Sequence, residues 1–270
     1  MEAMASRPLW SVLGVPVSSA PLDAIAALCL APRTGEPGPV TVACANLHSL
    51  VVANRDPEFA AALRAATFVT ADGAPLRLAG RLCREPVGPR ITGSDVFAAV
   101  MMRLNDAHGR AMFLGSTAGV LARIRERASR DFAQVAVATF SPPFGAASSA
   151  DEQSAVEAIN AFAPDVLWIG MSAPKQEKWM ARHSGSLNVR AIACVGAVFD
   201  FYAGTVRRAP TWMQRLGLEW LHRLASEPRR LWRRYLISGP IFISLVVRDR
   251  WSRIAGLGAW RARRASTASR

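Results

Sequence analysis

The chain has 270 residues, 51% hydrophobic and 20% charged, which excludes a disordered chain and suffices for one sizeable core with an appendage. The formal net charge of +13 is confined to one end: residues 205–270 hold 15 Arg, no Lys and three acids, while the preceding 204 residues carry a net +1. No apolar run reaches the roughly 18 residues of a simple membrane span, and the nearest, Leu236–Val247, is broken by Gly239-Pro240.

In chain order, Pro8–Val17 comes first. As a secretory apolar region it is short, is broken by Gly14 and Pro16 and follows a neutral "MEAMASR", so it reads as a first buried strand. Strand-like runs recur at Trp10–Val12, Val40–Ala45, Phe68–Thr70, Ala111–Leu114, Val135–Phe140, Val166–Ile169 and Ala191–Val195. Helix-like stretches lie between them at Leu22–Leu30, Pro57–Ala66, Pro75–Leu82, Ser94–His108, Ala118–Asp131, Glu152–Phe162 and Pro174–His183. This alternation predicts an α/β fold with a mostly parallel, doubly wound (Rossmann-like) sheet covered by helices on both faces. Such sheets bind ligands beyond the carboxyl ends of their strands, so the loops that follow strands carry the candidate chemistry.

A boundary is expected near Gly204, giving a catalytic core of 1–204 and a helical, membrane-associating appendage with a basic tail over 205–270. In Pro210–Leu224, residues Trp212, Met213, Leu216, Trp220 and Leu224 share one helical face, with Arg215, Glu219 and His222 opposite. In "PRRLWRRYL", Arg229, Arg230, Arg233 and Arg234 fall on one side, and Leu231, Trp232, Tyr235 and Leu236 on the other. That is the composition of an interfacial helix, and anionic lipid adds about 1 kcal/mol per nearby basic residue. A helix docked on the core with a solvated Arg face, or an Arg cluster for a pyrophosphate, are the alternatives.

Cys29, Cys44, Cys83 and Cys194 are scattered without a C-x-x-C pair, as in a reducing compartment. His48, His108, His183 and His222 show no metal spacing. No metal and no cofactor are expected, and a cytoplasmic location is.

Asp72 in "FVTADGAP" stands just past a strand and before a helix that Pro75 can start. A carboxylate there suits a general base, although Asp-Gly is also a common turn pair. In "WIGMSAPKQEKWM", Lys175 and Gln176 occupy the first turn of a helix. A Lys beside the positive end of a helix dipole is explained by an anionic ligand, or simply points to solvent. Gly115 and Ser116 in "MFLGSTAGV" form a strand–turn–helix junction whose amides could meet a phosphate, without a full nucleotide-binding pattern. "RITGSDVF" reads as a capped helix start, with Thr92 or Ser94 as cap and Arg90 able to pair with a phosphate. There is no D-x-D, which favours arginine over metal for stabilising a leaving diphosphate.

Together these stretches resemble one family, the WecG/TagA/CpsF glycosyltransferases. The matching pieces run in order: "ANLHSLVVANRDPEF", "ADGAPLRLAGRL", "RITGSDVF", "FLGSTAGV", "NAFAPDVLWIGMSAPKQEKWM" and "CVGAVFDFYAGTVRRAPTWMQRLGLEWLHRLASEPRRLWRRYL", over roughly residues 40–236. The resemblance implies a metal-independent, inverting transfer of a sugar from a UDP donor to a polyprenyl-diphosphate-linked acceptor, at the cytoplasmic face of the plasma membrane. The sugar is N-acetylmannosamine, its uronic acid or a hexose such as glucose. The resemblance makes Asp72 the base and puts Gln176 in the active site. Through an Arg-rich appendage that closes over the site, it brings in Arg207, Arg208, Arg223, Arg229 and Arg230. The family often reads T-x-N where this chain has Cys44-Ala45-Asn46. Asn46 remains as a sugar contact and the Thr hydroxyl is lost, which leaves the donor sugar open.

Two other readings compete. A basic tail could hold nucleic acid, but the Trp and apolar runs between the arginines argue against that partner. An inactive member that only binds lipid carrier is opposed by the retained Asp72 and Gln176. Self-association into a homo-oligomer stays open.

Overall fold

The computed structural model describes residues 9–32, 38–143, 148–210, 212–213 and 219–268, for Arg230 and 255–268 in backbone only. Six strands form the central sheet: β3 (Val40–Ala45), β4 (Phe68–Ala71), β5 (Arg110–Leu114), β6 (Ala136–Phe140), β7 (Val166–Ile169) and β8 (Ala191–Cys194). Their order is β4-β3-β8-β7-β5-β6, and every pair is parallel. The sequences "FVTA", "VLWI" and "AIAC" are buried throughout, as required of strands covered on both faces.

The period of two along each strand divides the core. Leu114, Leu167, Ile169 and Ile192 face one layer, together with Leu50, Phe59, Leu63, Leu76 and Trp179. Phe113, Val166, Trp168 and Ala193 face the other, with Ile25, Val96, Val100, Ile124 and Phe199. The first layer contains α2 (Leu47–Ala53), α3 (Pro57–Ala65), α4 (Ala74–Leu82), α7 (Ser149–Phe162) and α8 (Lys175–His183); the second contains α1 (Leu22–Leu30), α5 (Gly93–Asp106), α6 (Ala118–Asp131) and α9 (Val198–Tyr202). The expected doubly wound architecture is the observed one.

The N-terminal strand is buried as expected but lies outside this sheet. β1 (Leu9–Val12) pairs antiparallel with β2 (Val15–Ser18) as a hairpin. Leu13 and Gly14, at φ 52° and 76°, make its tight turn, so the glycine that weakened the stretch as a signal peptide is a turn residue. The fully buried Trp10 lies against α4, where only glycine fits: a Cβ on Gly80 would come within 2.4 Å of the indole.

Residues 205–210 carry no regular structure, and from Glu219 the chain is helical: α10 (Glu219–Ser226), α11 (Pro228–Trp232), a π-helical turn (Arg233–Ile237) and α12 (Ser238–Ala268). α12 packs on α2 and buries Phe242 and Val246 among the first-layer residues. Leu236, Ile243 and Val247 of the same apolar run are exposed. The face predicted for Pro210–Leu224 falls partly outside the described residues, as do Arg215 and Leu216.

Candidate active site

All six strands of the parallel sheet end at one cleft of about 1290 Å³. Its wall takes Asn46 after β3, Asp72 after β4, Ser116 after β5, Pro142 after β6, Gly170 after β7 and Gly196 after β8. The C-terminal segment closes the opposite side with Arg208, Glu219, Arg223, Arg233, Arg234 and Tyr235.

Asp72 is held by an extension of the sheet, its N–H donating to the Ala45 carbonyl at 2.8 Å. Gly73 then adopts φ 120°, which releases the chain from the strand into α4. Burial pushes the Asp72 carboxyl up to about 6, the nearby Glu219 carboxylate adds to the rise, and Arg234, Arg90 and Arg223 oppose it. A carboxylate of that basicity accepts a proton near neutral pH far better than an exposed one. Beside it, burial and then Asp72 push the Cys44 thiol up to about 12, so this residue enters the site as an uncharged, weakly polar group.

Gln176 and Glu177 open α8 and are both buried, at 5% and 1% exposure. Gln176 Nε2 donates to Glu177 Oε1 at 2.8 Å. Burial raises the Glu177 carboxyl above its ordinary value. Lys175, before them, is exposed at the rim of the cleft, and its N–H donates to Ser172.

Several predicted residues also serve the fold. Asn46 caps α2, its Oδ1 accepting from the His48 and Ser49 amides at 3.1 and 3.2 Å. Thr92 forms a capping box with Asp95 at the start of α5. Gly115 has φ 111°, and a Cβ there would sit 2.9 Å from the Gly170 carbonyl oxygen, so glycine lets the β5 and β7 loops touch. Its own amide donates to Phe140, while Ser116, at φ 61°, lines the cleft.

The cleft gathers Asp72, Gln176, Asn46, Arg90, Thr92, Ser116, Lys175, Arg208 and Arg223 from the predicted residues. Arg223 is largely buried, stacks over Phe201 at 5.2 Å and approaches Glu227 at 4.0 Å, and Arg208 pairs with Glu219 at 3.5 Å. Arg207 and Arg229 are exposed and do not line the cleft, and the side chain of Arg230 lies outside the described residues. Trp232 and Leu236 are exposed, whereas Leu231 is buried and Tyr235 lines the cleft, so the apolar face drawn for regular helical spacing is split. The wider π-helical turn is the reason, since it brings the consecutive Arg233, Arg234 and Tyr235 round to one side.

Sequence reasoning missed Arg234, Glu219, Glu177 and His48. Glu219 left a signal, as one of three acids among 15 Arg in its segment. His48 left none: its Nδ1 lies 2.8 Å from Ser238 Oγ, and burial, then Arg234, push it down to about 4. Among the described residues no group of three His, Cys, Asp or Glu could hold a metal ion, and no helix is long and apolar enough to cross a membrane.

Three curated relatives similar to this chain share one functional name. An N-acetylglucosaminyldiphosphoundecaprenol N-acetyl-beta-D-mannosaminyltransferase of Bacillus spizizenii is 29% identical over 196 residues, covering 73% of this chain and 74% of the relative. Its namesake in Bacillus subtilis is 26% identical, over 77% and 79% of the two chains. That of Staphylococcus aureus is 28% identical, over 66% and 68%. The model of the glycosyl transferase WecG/TagA/CpsF family matches residues 10–256, nearly the whole length described, and the chain is therefore a glycosyltransferase belonging to that family.

Proposed function

We propose that this enzyme transfers a sugar from a UDP donor to a polyprenyl-diphosphate-linked acceptor, by a metal-independent, inverting displacement in which Asp72 is the base. The observation that carries the reading is the buried Asp72 carboxyl, raised to about 6, in a cleft with Arg90, Arg223 and Arg234. The acceptor hydroxyl gives its proton to Asp72 as its oxygen attacks the anomeric carbon. The bond from that carbon to the diphosphate breaks on the opposite face, and the configuration inverts. Negative charge gathers on the departing UDP, where guanidinium groups in a partly enclosed cleft are strongly stabilising. The relatives' names support N-acetylmannosamine as the sugar and an undecaprenyl-diphosphate-linked N-acetylglucosamine as the acceptor.

Residues 1–204 form the catalytic core in this reading, and 205–270 the appendage that completes the site and meets the membrane. Trp212, Trp220, Leu221, Trp232, Leu236 and Ile237 are exposed beside arginines, which supports peripheral binding to an anionic surface at the inner face of the plasma membrane. The test is transfer from a panel of UDP-sugars to a lipid-diphosphate N-acetylglucosamine acceptor, with and without EDTA. Product of inverted configuration, formed undiminished in EDTA, is the expected result. Product of retained configuration, or activity that EDTA removes and Mg²⁺ restores, would sink it.

A further inference from the structure

The start of α8 holds a polar arrangement that the base and the arginines leave unused. Oε1 of Gln176 and Oε2 of Glu177 are both buried, and neither takes a hydrogen bond from the described residues. Both residues line the cleft. The Gln176 amide also lies against the strand-end loop of β8, where a Cβ on Gly196 would fall 3.7 Å from its oxygen and 3.8 Å from its nitrogen.

An amide has a donor end and an acceptor end, and here the donor end faces Glu177. The 2.8 Å bond from Gln176 Nε2 to Glu177 Oε1 therefore fixes which end is left for a ligand. Turned the other way, two oxygens would face each other and the amide N–H would point elsewhere. In that orientation position 176 would bind phosphate or carbonyl oxygens. In the observed one it offers a buried acceptor, and an unmet acceptor at such a site is costly enough to select strongly for a ligand that donates to it.

Building on the proposed transfer reaction, we infer that Glu177 is a positioning residue which holds the Gln176 oxygen ready for a hydroxyl or amide N–H of a bound sugar. The donor sugar and the acceptor sugar share that chemistry, and the kinetics tell them apart. The effect of Glu177 passes through the Gln176 amide.

The test uses Glu177→Asp and Glu177→Gln in the full-length enzyme. Glu177→Asp keeps the charge but draws the carboxylate back by about 1.5 Å, out of reach of the amide. Glu177→Gln keeps an oxygen in place to accept from Gln176. Glu177→Asp should raise the KM of one sugar substrate, donor or acceptor, by about tenfold or more. Glu177→Gln should return it to within about threefold of wild type, which a role for buried charge in folding would not do. Gln176→Ala should cost about as much as Glu177→Asp, and the double variant no more than either alone. Unchanged KM values in a folded Glu177→Asp enzyme, or losses that multiply in the double variant, would overturn the inference.

If Glu177→Asp fails to fold, deoxy and deacetamido sugar analogues give a second reading. One analogue should be poor with wild type yet no poorer than the parent sugar with Gln176→Ala. If Gln176→Ala weakens every analogue as much as the parent sugar, the inference fails. Asp72→Asn, run in parallel, separates this from the underlying reading: full turnover there removes the assigned base, whatever position 177 does.

Discussion

The strand-end rim and the C-terminal segment supply opposite halves of one cleft in different ways. The rim contributes Asp72 and Gln176 from positions tied to the sheet: Asp72 through the Ala45 carbonyl, Gln176 through the first turn of α8 after β7. The C-terminal segment contributes guanidinium groups from short helices and a π-helical turn, and its arginines before α12 face in two directions, while Arg250 and Arg253 of α12 bond to Leu82 and Glu85. Arg208, Arg223, Arg233 and Arg234 line the cleft, whereas Arg207 and Arg229 face out alongside Trp212 and Trp232. A surplus of charge that looks uniform in the sequence thus faces two ways, and the proposed division of duties between diphosphate and membrane rests on that difference.

The largest expected effect lies on the rim. Asp72→Asn should lower turnover by about 10²–10⁴-fold, the usual contribution of a positioned base. It should also melt at a higher temperature than wild type near neutral pH. The raised folded value means that ionised Asp72 costs stability above about 6, and the amide never ionises. Loss of activity together with a lower melting temperature would instead mean a damaged fold.

Next come the inward arginines. Arg234→Ala or Arg223→Ala should cost about 10²-fold in turnover on a short-chain, water-soluble acceptor, because diphosphate stabilisation is lost wherever the reaction takes place. Arg229→Ala, facing out, should stay within about twofold on that acceptor. Equal losses from Arg229→Ala and Arg234→Ala would erase the division.

The outward set has the smaller effect, read on vesicles. Trp232→Ala with Leu236→Ala removes two side chains that are 43% and 59% exposed. Co-sedimentation with anionic vesicles should fall by about tenfold, with turnover on the short-chain acceptor nearly kept. Full vesicle binding by that variant would place the lipid contact elsewhere.

The parallel sheet was legible in the sequence because its strands are continuous apolar runs separated by helical periods, and Asp72 because it follows such a run directly. Position within the helical segment was not. Regular spacing put Arg234 on the cationic face of an interfacial helix and Tyr235 on the apolar one, and a single π-helical turn overrode it. His48 depends on a contact made across the fold, with Ser238, and Glu177 on burial beside its own neighbour Gln176, which hydropathy does not foretell for a Glu in the charged run 175–178. The hairpin of β1 and β2 was half legible: its burial followed from composition, but its partner strand did not, because Pro16 and Gly14 disguised a turn and a short strand.

The proposed tuning of Asp72 by the C-terminal segment is read in the pH dependence of kcat/KM on the short-chain acceptor. The rate should rise with pH through an apparent value near 6, as Asp72 ionises in the free enzyme. Glu219→Gln removes a neighbouring negative charge and should move that limb to lower pH, whereas Arg234→Ala removes a positive one and should move it to higher pH. Opposite shifts of the acidic limb in the two variants are the predicted result; a limb that stays where it is in both would contradict the account.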